Sequence, residues 1–138
     1  MTLNLPSTIH VKGVTFGTPR VGNSDYAALF DSKVRDPATT YCSVIAKTVH
    51  QVPDFTRVNN EKDIIPIVPG RFLGFQHVHG EVHIVSPGNA VACVGDDDAT
   101  DSQCTISTVP SVPLIPATNI LDHLGPYEGI SLGTLFCD

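Results

Sequence analysis

Four groups of residues in this sequence have the types and spacing to do chemistry. Gly129-Ile-Ser-Leu-Gly133 matches Gly-x-Ser-x-Gly, the pattern of a serine nucleophile held on a sharp turn between a buried strand and a helix. Only five residues follow Gly133, too few for that helix and for the acid and histidine that should come after it, so the segment reads as C-terminal packing. His77, His79, Glu81 and His83 recur at every second position, and on one continuous strand they would share a face as a zinc or other transition-metal ligand set. Gly80 interrupts that strand, so the expectation is partly buried polar residues and no metal. Asp96, Asp97, Asp98 and Asp101 lack the turn Gly and the closing Glu of a calcium loop and read as a solvated loop. The fourth group is a pair. Asp63 stands in Asn59-Asn-Glu-Lys-Asp-Ile-Ile-Pro66, and His123 in Leu121-Asp-His-Leu-Gly125. An acid on a loop after a strand, followed later by a histidine, suits the second and third members of a Ser, Asp, His order. Spacing alone equally allows a turn cap and a surface side chain.

These residues need elements to position them. Ile9 to Gly17 alternates β-branched or aromatic residues with polar or small ones and ends at Gly-Thr-Pro, which predicts a strand. Asn23 or Ser24 can cap a following helix in which Tyr26, Leu29 and Phe30 share a face. Phe55 to Asn59 predicts a second strand, delivering the chain into the turn that carries Asp63. Gly74 to His79, Glu81 to Val85 and Ala90 to Val94 predict a small antiparallel region, Val109 to Pro116 an extended segment, and Asn119 to Leu124 a short helical turn. Strand, helix, strand and meander is an α/β pattern.

Composition bounds the function. At 138 residues the chain is one domain, and 41% hydrophobic with 16% charged residues is globular rather than disordered. A formal charge of -6 leaves no basic stripe for phosphates, so nucleic acid is not an expected partner. The apolar runs fall far short of the roughly 20 residues of a membrane helix, and the first residues lack the pattern of a secretory signal. Cys93 and Cys104 close a short polar loop that favours a local disulfide and hence an oxidising compartment.

Taken together, Val14-Thr-Phe-Gly-Thr-Pro-Arg-Val-Gly-Asn23, Phe55 to Pro69, Phe75 to Ile84 and Asp122-His-Leu-Gly-Pro-Tyr127 resemble the C-terminal half of a fungal class 3 lipase, in family order. The resemblance implies an α/β-hydrolase fold and a secreted, cofactor-free enzyme. Such an enzyme hydrolyses carboxylic esters, mostly acylglycerols, at a lipid-water interface, with feruloyl esterases among its kin. It implies that Asp63 is the triad acid and His123 the triad base. Pro66, Ile67, Val68, Ile120 and Leu121 would lie near the acyl pocket. Cys93 and Cys104 match a family disulfide, and Cys137 matches a cysteine whose family partner lies near an N-terminus this sequence does not contain.

Two departures stand out. The family's Gly-His-Ser-Leu-Gly elbow, oxyanion loop and lid precede the matching segment, so the expectation is a partial domain over residues 1–138. It would hold two triad members and no nucleophile, and expose a sheet edge and an apolar face. Val34 to Gln51 has no counterpart where the family connects helix and strand almost directly, and its codons fit either a surface insertion or a retained, in-frame intron.

Overall fold

The computed structural model describes residues 9, 11–34, 55–95, 97, 101–109 and 118–133. The suspected insertion at 34–51, apart from the backbone of Val34, lies outside these residues, as do Cys42, Cys137 and the extended segment after Val109.

Strand β1 (Gly13–Phe16) alternates in exposure, as its sequence alternation requires. It leads through Gly17 to helix α1 (Ser24–Val34). Asn23 caps the helix by accepting the Tyr26 N–H at 3.0 Å, and Asp25 in the first turn and Lys33 in the last complement the helix dipole. The buried residue of α1 is Ala27, while Tyr26 and Leu29 stay exposed, so the helix contacts the sheet over a narrower stripe than the expected Tyr26, Leu29 and Phe30 face. Phe30 does reach the sheet, edge-on against Phe55 with ring centroids 4.9 Å apart.

Strand β2 (Phe55–Asn60) pairs parallel to β1, and β3 (Glu81–Ser86) pairs parallel to β2. Strand β4 (Asn89–Cys93) returns antiparallel on β3 through a tight turn in which Gly88 takes φ 75°. Among the described strands the order β1-β2-β3-β4 places β1 at one edge, with Val14 and Phe16 exposed.

Residues 74–79 form no strand, contrary to the alternation in the sequence. Gly74 leaves the 3-10 turn Arg71–Leu73 at φ 83° and Gly80 bends at φ 94°; between them only Gln76 makes a bridge, to Gly22. Positive φ values at both ends break the extended run that a ladder needs.

One sheet face buries polar groups. Arg57 and Glu81 are register partners with Nη2 and Oε2 3.6 Å apart. Glu81 Oε1 accepts the Thr105 N–H at 2.9 Å, and Asn59 Nδ2 donates to Thr105 Oγ1 at 3.0 Å. These bonds seat the short helix α2 (Thr105–Thr108), which the Cys93–Cys104 disulfide ties to β4. The expected local disulfide is therefore present. Ile64, Ile67 and Val109, flanked by Ile65 and Ile106, form the apolar cluster beneath the turn after β2. Helix α3 (Thr118–Leu121) runs into the 3-10 turn Asp122–Leu124, which carries His123. Among the described residues, no helix is long and apolar enough to cross a membrane.

Candidate active site

Asp63 follows β2 by a reversal in which Glu61 adopts φ 39° and the Asp63 N–H returns to the Asn60 carbonyl at 2.8 Å. Its carboxylate is wholly buried and divided between two tasks. Oδ1 accepts the Ile65 N–H at 2.8 Å, fixing the start of the 3-10 turn Ile65–Ile67. Oδ2 accepts the His123 Nδ1–H at 2.9 Å. The carboxylate side chain is 0% exposed and the imidazole 33%, so the carboxylate lies beneath an imidazole that solvent reaches.

Burial raises the Asp63 carboxyl above its ordinary range, while the hydrogen bonds from His123 and the Ile65 N–H pull it back in part. Tyr127 closes the other side. Its ring stands edge-on to Phe16 at 5.3 Å, and its hydroxyl donates to the His123 carbonyl at 3.3 Å. Burial and then the Asp63 charge push that hydroxyl well above the usual tyrosine value, so it remains a donor. An acid that holds the Nδ1 proton leaves Nε2 of the imidazole as the basic nitrogen. Among the described residues, Nε2 of His123 makes no hydrogen bond.

The apolar candidates divide by burial. Pro66 and Ile67 are buried, Ile67 within the core cluster, which leaves them little surface for a ligand. Val68 is half-buried, and Ile120 and Leu121 are each 50% exposed one turn before His123. Ser131 is exposed in the turn after Tyr127, where Ile130 bridges back to Tyr127, and it makes no hydrogen bond to His123.

The alternating histidines do not converge. His77 Nε2–H donates to the Pro66 carbonyl at 2.6 Å, His79 Nδ1–H to Asp31 Oδ2 at 2.6 Å, and His83 bridges the Gln103 and Glu61 carbonyls. Glu81 is held by Arg57 and Thr105. Four different sets of partners replace the shared face that an uninterrupted strand would have made. Glu81 does cluster with Cys93 and Cys104, but both sulfurs are in the disulfide.

Arg20 is a site-supporting residue that periodicity could not single out. Its buried guanidinium grips Asp97 through Nε and Nη2 at 2.8 and 2.9 Å, and its Nη1 donates to the carbonyls of Ile67 and Pro69. The Asp97 Oδ2 also accepts the His77 N–H at 2.9 Å. Burial would push the Asp97 carboxyl up; these donors outweigh it and hold the group below its ordinary value. The turn after Asp63 is thereby fastened to the loop between the two cysteines.

A mixed sheet whose first three strands run parallel, with a helical crossover, an acid just after a strand and a histidine on a late turn, defines part of an α/β-hydrolase. The chain belongs to the class 3 lipase family, whose family model, Lipase (class 3), matches residues 2–73. It is 33% identical over 121 residues to a lipase of Rhizomucor miehei, covering 86% of this chain and 26% of that protein. It is also 33% identical over 81 residues to the secreted mono- and diacylglycerol lipase LIP1 of Malassezia globosa, covering 59% of this chain and 21% of that one. A solved triacylglycerol lipase whose catalytic centre is formed by a serine protease triad superposes with a TM-score of 0.55 and 28% identity, over 87% of this chain and 36% of its own. The chain thus spans about a quarter of the length of the relatives it matches by sequence.

Proposed function

We propose that Asp63 and His123 are the acid and base of a Ser-Asp-His relay that hydrolyses carboxylic esters of the acylglycerol class. The observation that carries this reading is the 2.9 Å bond from His123 Nδ1 to a fully buried Asp63. Asp63 fixes the tautomer and stabilises the imidazolium. His123 Nε2 takes the proton of a serine hydroxyl as the oxygen attacks the ester carbonyl, then returns it to the departing alcohol. Water repeats the exchange to release the acid. Each carbon–oxygen bond made or broken at the carbonyl is matched by a proton transfer through His123, and the relay calls on no metal or cofactor. Exposed Ile120 and Leu121 and half-buried Val68 supply apolar surface for an acyl chain, and the disulfide suits a secreted enzyme acting at a lipid-water interface.

The sequence contains no Gly-His-Ser-Leu-Gly, and the serine of the relay is proposed to come from polypeptide outside these residues. Reading the genomic DNA and transcript upstream of the Met1 codon tests this, with an in-frame elbow expected; the same transcript shows whether codons 34–51 are spliced out. The extended product should turn over p-nitrophenyl butyrate and lose on the order of 10⁴-fold in kcat with His123→Ala or Asp63→Asn. Full turnover after His123→Ala would sink the relay. A transcript without any upstream elbow would instead support a second reading, a non-catalytic module of the same fold.

A further inference from the structure

The acid and base are 60 residues apart in the chain and sit on two separate turns, so something must hold those turns in register. Asn60, the last residue of β2, touches both. Its backbone carbonyl accepts the Asp63 N–H at 2.8 Å, and its side-chain Nδ2 donates to the carbonyl of Asp122 at 3.0 Å. The Asp122 carbonyl belongs to the peptide unit that leads into His123, so fixing its plane fixes where the His123 Cα begins. A weaker strap runs alongside, from the Lys62 N–H to Asp122 Oδ2 at 3.3 Å on the exposed side.

Packing does not account for an amide at this position. Asn60 is 2% exposed, and its Oδ1 is buried with no hydrogen-bond partner among the described residues. A buried acceptor left unpaired is destabilising, and an apolar residue of similar shape would avoid that penalty while filling the same space. Among the described residues only the donor half of the amide is used, and it is used on the carbonyl of Asp122, the residue before the base.

We propose that Asn60 is a positioning residue: it joins the acid turn to the base turn and thereby sets the distance and angle of the His123–Asp63 hydrogen bond. The inference rests on the reading of Asp63 and His123 as a catalytic pair and adds the residue that aligns them. Misplacing a reacting group by about 1 Å can slow chemistry roughly 10²-fold, so a clamp one residue from the base has leverage.

The test is long-range ¹H–¹⁵N NMR of the full chain labelled with ¹⁵N-histidine, following the His123 Nδ1–H resonance. In the unaltered chain this proton should be downfield and slow to exchange. Asn60→Ala should abolish the resonance or speed its exchange at least tenfold, with the His77 Nε2–H on Pro66 and the His79 Nδ1–H on Asp31 unchanged. Those two signals report general loosening, which would move all three together. Asn60→Asp keeps the shape and, once ionised, lacks the donor, so it should behave like Asn60→Ala and serves where the smaller side chain prevents folding. A folded variant whose His123 proton exchanges within twofold of the unaltered rate overturns the positioning role. A missing His123 resonance in the unaltered chain overturns the pairing itself, which separates the two failures.

Discussion

Gly17 lies directly against the Asp63 carboxylate, where a Cβ would stand 2.7 Å from Asp63 Oδ2 and nearer still to His123 Nδ1. The chain passes there at φ 56°, a conformation that costs little only for glycine, and Gly17 N–H is held by the Val58 carbonyl at 2.8 Å. The turn between β1 and α1 is therefore one wall of the Asp63–His123 pair, and it has no room for a side chain.

Gly17→Ala should consequently separate the pair as well as strain the backbone. The expected loss is about 1–3 kcal/mol of stability, together with disappearance of the slow-exchanging His123 Nδ1–H. Denaturant titration and NMR of the same sample check both. A variant that keeps the proton signal would show that the wall yields without disturbing the pair.

His77 predicts an acid-sensitive fold. Burial, followed by repulsion from Arg57, lowers its imidazolium to about 3, against about 6.5 for an unfolded histidine. Between those values the unfolded chain binds a proton that the folded chain refuses. This contribution to stability is complete above about pH 6.5 and is lost as pH falls toward about 3. Melting should drop by at least about 5 °C between pH 7 and pH 4, and His77→Gln should flatten that slope. A level melting curve across the window would contradict a buried neutral His77.

The Arg20–Asp97 pair should be costly to break from one side. Their side chains are 1% and 9% exposed, so Arg20→Met strands a carboxylate among buried carbonyls, an expected loss of about 3–5 kcal/mol. Asp97→Leu added to it should recover much of that loss by removing the stranded charge. Chemical denaturation of the single and double variants gives the comparison, and equal losses in both would mean that the charge itself is not the cause.

Reduction of Cys93–Cys104 should lower stability by up to about 3 kcal/mol, as the sequence separation of 11 implies for loop closure. Because Asp97 lies inside that loop and grips Arg20, reduction should also weaken the bonds from Arg20 to Ile67 and Pro69. Unfolding midpoints with and without dithiothreitol measure the first effect, and the double variant Cys93→Ser/Cys104→Ser removes the reductant as a variable.

Local chemistry was legible in the sequence wherever a residue's neighbours along the chain decide its conformation. The alternation in β1, the short strand β2, the capping of α1, the disulfide loop and the turns carrying Asp63 and His123 all belong to this class, and the α/β architecture followed from their order. The Gly74–His79 strand failed because alternation records which side chains could face one way, while two left-handed glycines decide whether the backbone stays extended. For the same reason His77, His79 and His83 could be read as a metal set until the fold gave each its own partner. What only tertiary structure decided is which groups far apart in the chain meet: Arg20 with Asp97 and Asn60 with the backbone before His123, while the Asp63–His123 contact was implied by family resemblance and given its geometry by the fold. Sequence spacing carries no information about such distances. They arise from parallel strand register, from the disulfide and from buried polar groups that must find donors or acceptors once water is excluded.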